Sequence, residues 1–510
     1  PLRMTFHAAV AVQEAPNLFY QPDISPADYV DVEELLFSRG YNFADTASNR
    51  RPPFSPVYEI LFRQRRGAIT GAEATAQLDA LSGHDVRSDF QQYLYQPAVK
   101  NQYAVNLQGG SGQATYLLSA GYDRNSSELA DRYRRYSLRT EHSFRPVSGL
   151  LVSAGVYFTQ THTQAGKPGI MDISTANGKI PPYTRLADER GNAQPLYKDY
   201  RQSYIDTAGG GKLLNWNYYP LEDYQYTHHT TATQHLLSRV GLGYQFFNAL
   251  SVDLKYQYEK QQSASRNLQE EESYYTRNLI NTFTQFNRAT GTLIYPVPRG
   301  DILDQTDASL TAHNLRAQVS FNKTWGRHSL SAIGGSELRQ TGRQSASHRT
   351  YGYNDDILSS APVDYVHTYP NFIRGSQAFI PNGESFDEKL DRFVSFFVNA
   401  AYTYNDNYTF SFSARRDASN IFGVATNNKW NPLWSAGISW NLGQEPFYQS
   451  RLLPGLKLRA TYGYSGNIDP SLSAVTTISY GAVSPYTGTP YAQVDRYYNP
   501  DLRWEKILEA

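Results

Sequence analysis

The amino-acid sequence predicts an all-β fold, a transmembrane antiparallel β-barrel with long extracellular loops, and three observations carry that prediction. Apolar and polar residues alternate over runs long enough to cross a membrane, tyrosine is in large excess, and the connections between runs alternate between short and long. A strand with period two has one apolar and one polar wall. Runs of about ten such residues separated by turn residues suit a transmembrane strand, whose apolar wall faces lipid and whose polar wall faces a wet lumen.

The alternation is clearest between Asp391 and Asn467, which reads as four strands. Val394, Phe396, Val398, Ala400, Tyr402 and Tyr404 share one face, with Ser395, Asn399, Thr403 and Asn405 mainly opposite. After an Asn405-Asp406-Asn407 turn, Tyr408, Phe410, Phe412 and Ala414 alternate with Thr409, Ser411, Ser413 and Arg415. Along the whole chain the strand candidates lie near 3–12, 102–109, 114–123, 133–144, 150–161, 234–246, 250–262, 313–324, 328–340, 392–404, 408–416, 432–442 and 456–466, with a further one beginning near 494. Short turns fall at Gly109–Gln113, Arg145–Gly149, Phe247–Ala249, Trp325–Arg327 and Asn405–Asn407. The connections 13–100, 162–233, 263–312, 341–391 and 467–493 are far longer than a compact soluble β-domain tolerates. Bacterial barrels have short periplasmic turns and long extracellular loops, so the first strand is expected to run outward from the periplasm.

Composition supports this reading and excludes others. There are 41 Tyr and 24 Phe but only 2 Met, and tyrosine suits the aromatic girdles at the two membrane interfaces, where the ring sits in acyl chains and the hydroxyl in water. Mean hydropathy is -0.56, and no run approaches the roughly 18 apolar residues of a spanning helix. The absence of cysteine fits an exported protein without disulfides. A formal net charge of zero gives no support to nucleic-acid binding, which shows as a basic excess or stripe.

The long connections have their own character. Segment 13–100 is Pro-rich with one expected helix, Gly71–Leu81, whose Ala74, Leu78 and Leu81 share a face. Segment 162–233 is rich in Tyr, Asn and Gly and carries Trp216, Tyr218, Tyr219, Tyr224 and Tyr226. These rings either pack on one another above the barrel or meet a glycan or a lid protein; they are the candidates for substrate or lid contact.

The ordered motifs of the chain resemble a known family. Asp391-Arg392-Phe393 through Tyr402, followed by Tyr408 to Ser419 with Arg415-Arg416-Asp417 and Ser419, is similar to a strand pair with an R-R-D-x-S motif in SusC/RagA-type TonB-dependent transporters. In the same order come Asn428-Lys429-Trp430, Trp434-Ser435-Ala436-Gly437, Leu456 to Gly463 with Gly466-Asn467, and Asn499-Pro500-Asp501-Leu502-Arg503-Trp504-Glu505. Upstream, Gln108-Gly109-Gly110-Ser111 with Tyr116, Ser119 and Gly121-Tyr122 resembles the family's second hairpin. The chain departs from the pattern at Asp123–Ala130, where the family has a Gly soon after the Gly-Tyr pair.

The resemblance implies a plug-filled barrel of about 22 strands. Residues 1–510 would supply about 13 or 14 of them, with the signal peptide, carboxypeptidase-like domain, TonB box, plug and last strands expected in the rest of the gene product. It also implies a bacterial outer-membrane location among outer-membrane lipid, a SusD-like surface lipoprotein as lid, the TonB-ExbB-ExbD complex as energy source, and a glycan or peptide substrate. Other readings are a siderophore or cobalamin receptor without a lid, a barrel enzyme, or an adhesin.

No cofactor, metal or catalytic residue is expected. His228-His229 lacks further ligands at metal spacing. Glu270-Glu271-Glu272 reads as a solvated loop crest. Gly209-Gly210-Gly211-Lys212 has no following Ser or Thr and no strand leading into it, and no G-x-S-x-G elbow occurs. Within Arg415-Arg416-Asp417, alternation places Arg415 on the lumen face, since Arg on the lipid face costs roughly 2–4 kcal/mol at the membrane midplane. Asp417 is expected to pair with an arginine and fix the strand end.

Overall fold

The computed structural model describes residues 2–509, except 288, 423–429, 454, 468–473, 485, 486, 488, 500, 501, 503 and 504. Its centre is a 14-stranded antiparallel sheet in which each strand pairs with the next wall strand along the chain. The strands are Arg3–Gln13, Ala98–Gly110, Ala114–Ser126, Arg132–Phe144, Leu150–Gln164, Thr227–Phe247, Leu250–Gln269, Asp301–Trp325, His328–Tyr353, Ser385–Tyr404, Tyr408–Ser419, Asn431–Trp440, Leu458–Ser465 and Ile507–Glu509. No helix among the described residues is long and apolar enough to cross a membrane.

Register confirms the two walls. Arg316 faces Glu337 and Glu337 faces Ser395 across successive strands, so one wall carries Arg316, Glu337 and Ser395. The other carries Leu315, Val319, Leu338, Phe396, Val398, Phe410 and Phe412, each more than a third exposed, as lipid-facing residues must be. Aromatic girdles bound this apolar band. At the turn side, Trp325 stacks on His328 at 5.7 Å, Tyr408 on Trp440 at 6.1 Å, and the Tyr402 hydroxyl lies 2.6 Å from His328 Nδ1. At the loop side, the Tyr122 ring lies 5.0 Å from Tyr136 and the Tyr256 hydroxyl 2.9 Å from His313 Nδ1. From Trp325 to His313 is about 40 Å of strand. Tilted by about 40°, that covers roughly 30 Å of height, the thickness of a hydrocarbon core.

The short turns follow from their residues. Asn405 and Asp406 both sit at positive φ, 52° and 56°, a conformation that Asn and Asp tolerate better than other side chains. Gly326 turns the Trp325–His328 hairpin at φ 55°. On the opposite side, Ser127 closes the reversal before Arg132 by accepting from the Asp131 amide at 2.9 Å, and Ala130 takes φ 64°. Ala130, at the end of the stretch that departs from the family pattern, thus occupies the left-handed conformation that glycine adopts freely.

Several expected boundaries are corrected. Connections 263–312 and 341–391 are strand at both ends: Leu250–Gln269, Asp301–Trp325, His328–Tyr353 and Ser385–Tyr404 continue well past the membrane, leaving 270–300 and 354–384 as loops. The strand expected near 494 is Pro490–Arg496, which pairs with Thr477–Val483 in a separate hairpin and is not part of the wall. Segment 14–97 holds more than the one helix expected over Gly71–Leu81, which is observed as Gly71–Ser82. Pro26–Ser38 and Pro56–Arg65 precede it, each with a Ser N-cap and Pro in its first turn, and Val86–Asp89 follows. Ser273 caps a further helix, Tyr274–Phe283.

Candidate functional site

The polar wall is built from side chains that alternation alone places inward. Glu141 accepts from Arg139 Nη2 at 2.8 Å and is also bonded by Arg239 and the Tyr157 hydroxyl; both guanidinium groups lie 5.0 Å from the Tyr157 ring centroid. A second cluster centres on Glu337, which pairs with Arg316 at 2.8 Å and Arg415 at 3.4 Å. Arg415 Nε in turn bonds both oxygens of Asp417, at 2.9 and 3.0 Å, and its Nη2 donates to Ser395 Oγ at 3.0 Å. Arg415 therefore lies on the lumen wall and pairs with Asp417. The arginine side chains are nearly half exposed while Asp417 is 11% exposed, so the arginines present donors inward from anchored carboxylates. Arg139, Glu141, Tyr157, Arg239, Arg316 and Glu337 were not singled out from sequence. The usable signal was a charge at a lumen position of an alternating strand.

Arg416 occupies the other wall. Its guanidinium lies 5.0 Å from the Trp430 ring, which packs at 6.0 Å from Phe396, a cation held by aromatics at the membrane edge. Ser419 is buried, and its hydroxyl accepts from the Ile421 amide at 3.4 Å. Beside it Asn420 ties the strand end, donating to the Leu390 carbonyl at 2.7 Å and accepting from the Arg392 amide at 2.8 Å. Gly463 faces Ser435, where a Cβ would come 2.5 Å from the Ser435 Cβ. A Cβ on Gly466 would fall 2.1 Å from the Glu505 carbonyl oxygen and 3.2 Å from Leu433. Asn467 accepts from the Glu505 amide at 2.9 Å, and the Asn499 amide donates to Ala474 at 3.0 Å. Pro500 and Trp504, like Asn428 and Lys429, lie outside the described residues.

Above the wall, four loops fold against one another. Val86, Phe90 and Leu94 from the first, Ile173, Leu186, Trp216 and Tyr218 from the second, Tyr274 from the third and Ile373 from the fourth make one buried cluster. Trp216 and Tyr218 are 5% and 6% exposed. Trp216 Nε1 donates to Asn278 Oδ1 at 3.1 Å, and Tyr218 stands edge-on to Tyr274 at 5.4 Å with Lys198 Nζ 4.5 Å from its ring centroid. Burial beside Asp223 and Asp172 pushes the Tyr218 hydroxyl above the usual tyrosine range. Tyr219, Tyr224 and Tyr226 are half-buried. As candidate contacts for substrate or lid, Trp216 and Tyr218 are corrected by this placement: their rings fill the loop core and offer no open face.

The decoy motifs resolve locally. His228 Nε2 lies 2.6 Å from Glu270 Oε1, and Glu271 bonds Arg299 and the Gly300 amide, so of the expected solvated triplet only Glu272 is exposed. These pairs clasp the ends of adjacent strands. No group of three or more potential metal ligands occurs among the described residues. Lys212 donates to the Gly291 carbonyl at 2.7 Å.

No family model matches the chain. TonB-dependent receptor P3 of Formosa agariphila is 29% identical over 192 residues, covering 37% of this chain and 18% of that protein. TonB-dependent receptor SusC of Bacteroides thetaiotaomicron is 21% identical over 489 residues, covering 86% of this chain and 43% of that protein. The chain thus spans less than half the length of these curated relatives. Among solved structures, that of the RagAB peptide transporter superposes with a TM-score of 0.68 at 16% identity, over 99% of this chain and 51% of that one. The order of motifs, the two-faced sheet and these likenesses agree: the chain has the fold of an outer-membrane TonB-dependent receptor barrel, and its sequence is similar to parts of TonB-dependent receptors of the SusC/RagA type.

Proposed function

We propose that this chain is part of an active importer that takes a nutrient, an oligosaccharide or a peptide, across the outer membrane with a SusD-like lipoprotein as lid and TonB-ExbB-ExbD as energy source. The observation that carries the reading is the shared loop core. Four loops packed into one body form a firm mouth above the lumen, which a lid can close against, whereas independent mobile loops would give it no fixed seat. Support also comes from the RagAB relative, a peptide importer solved in closed-closed and open-open states.

The inner wall suits the same role. Arginines anchored by Glu141, Glu337 and Asp417 offer many weak, reusable contacts to hydroxyls, carbonyls or carboxylates passing through, or to a plug that must shift and return. Tight binding at one point would retain cargo instead of releasing it inward. The test is purification of the intact receptor from outer membranes in mild detergent, joined to uptake assays with and without TonB. A co-purifying surface lipoprotein and TonB-dependent uptake of labelled oligosaccharide or peptide are expected. Recovery without any lipoprotein overturns the lid; uptake indifferent to TonB overturns active import.

A further inference from the structure

A cleft of about 590 Å³ opens between the first and second long loops, away from the lumen wall. Tyr29, Glu33, Tyr41, Phe54, Tyr58 and Tyr183 line it. Glu33, on the helix Pro26–Ser38, is 9% exposed; its carboxylate accepts from the Tyr183 hydroxyl, and Ser55 supplies a second hydrogen bond. Among the described residues no cation pairs with it. Tyr58, 5% exposed, carries a buried hydroxyl without a hydrogen-bond partner. The rings are arranged around this acid: Tyr29 stands edge-on to Tyr183 at 5.9 Å, Phe54 stacks on Tyr58 at 6.1 Å, and Tyr41 at the mouth is 57% exposed.

A buried carboxylate without a cation is costly unless neutralised, and burial does push Glu33 above the usual carboxylate range. Two neutral hydroxyl donors hold it in place without cancelling its charge. Aromatic faces attract cations, and the attraction strengthens where water is excluded. A neutral polyol would satisfy hydrogen bonds but leave the acid's charge uncompensated. A cation on an apolar stem answers both halves of the site, the stem lying among the rings and the charge meeting Glu33.

We infer that this cleft is a binding site for a primary ammonium or guanidinium group carried on an apolar stem, with Glu33, held from beneath by the fully buried Tyr183, as counter-ion and Tyr29 and Tyr41 as its aromatic faces. The same group occurs free as an alkylamine and bound as a lysine or arginine side chain in a peptide. The site stands on loop geometry alone and does not depend on what the lumen transports.

The test is equilibrium binding by the intact receptor in detergent, with Ala-Lys-Ala, the neutral isostere Ala-norleucine-Ala, and n-butylammonium as probes. The lysine peptide should bind at least about tenfold more tightly than the norleucine peptide, and Glu33→Gln, which keeps an acceptor for Tyr183, should abolish that difference. Should Glu33→Gln not fold, Tyr41→Ala at the exposed mouth is expected to weaken the lysine peptide about threefold. Butylammonium binding as tightly as the peptide assigns the site to free amines; much weaker binding assigns it to peptide side chains. Equal affinity for the lysine and norleucine peptides, or lysine affinity unmoved by Glu33→Gln or Tyr41→Ala, overturns the site.

Discussion

The wall and the loop body of this chain put the same residue types to opposite use. In the wall Phe410 and Phe412 are 56% and 46% exposed while Asp417 is buried; in the loops Phe90 is fully buried. The wall draws its order from a backbone ladder that runs from each strand to the next, with lipid as the apolar partner of the outer side chains. The loop body has only short helices and small hairpins, and depends on an apolar core, on capped helix starts and on side-chain bonds to backbone such as Asn281 to Leu214. Burial is therefore a guide to stability only when the solvent beyond each surface is specified. The two regions should also fail independently.

The largest expected effect is in the loops. Phe90→Ala removes a fully buried ring and should cost about 3–5 kcal/mol of loop stability. Protease should cut the loops of intact cells faster, while the heat-dependent gel mobility of the folded barrel stays unchanged; loss of the barrel itself would show that the two regions are not separable. Val398→Arg attacks the lipid face and should cost roughly 2–4 kcal/mol. Folded yield should fall, with the loop cleavage pattern of the surviving barrels as in the parent protein.

Asp417→Ala strips Arg415 of its nearest carboxylate, at a cost of about 1.5–3 kcal/mol. Folded yield should drop with uptake per folded molecule unchanged; normal yield with lost uptake would give the cluster a direct part in transport. Smallest is Thr70→Ala, which breaks the reciprocal Thr70–Glu73 cap at about 1 kcal/mol. It should raise cleavage near Gly71 and leave every wall property untouched.

What could be read from the sequence divides along the same line. Between the girdles, alternation is dictated by lipid on one side and water on the other, so strands such as 392–404 stand out in the residues themselves. Above the girdle both sides are wet. Gln340, Gln344 and His348 then occupy the outward row that Leu330 and Leu338 begin, and the strand continues on hydrogen bonds alone with no hydropathy pattern to mark it. The Ser-Pro pairs at Ser25-Pro26 and Ser55-Pro56 did announce helices, but the proline content of the segment masked them as loop. The loop core was unreadable for another reason. Phe90, Ile173, Tyr274 and Ile373 come from four separate segments, and no local pattern records that they meet.

The overhang of the longest strands changes what this protein meets first. Ile302 and Tyr351, both 1% exposed, end their strands inside the loop core, while the outer girdle lies back at His313. The ladder thus carries the mouth roughly 25 Å clear of the lipid surface. A flat membrane excludes the centre of any large coil by about the coil's own radius, but a raised mouth does not. A polymer far wider than the barrel can present one chain end to this collar while the rest of it stays in open water.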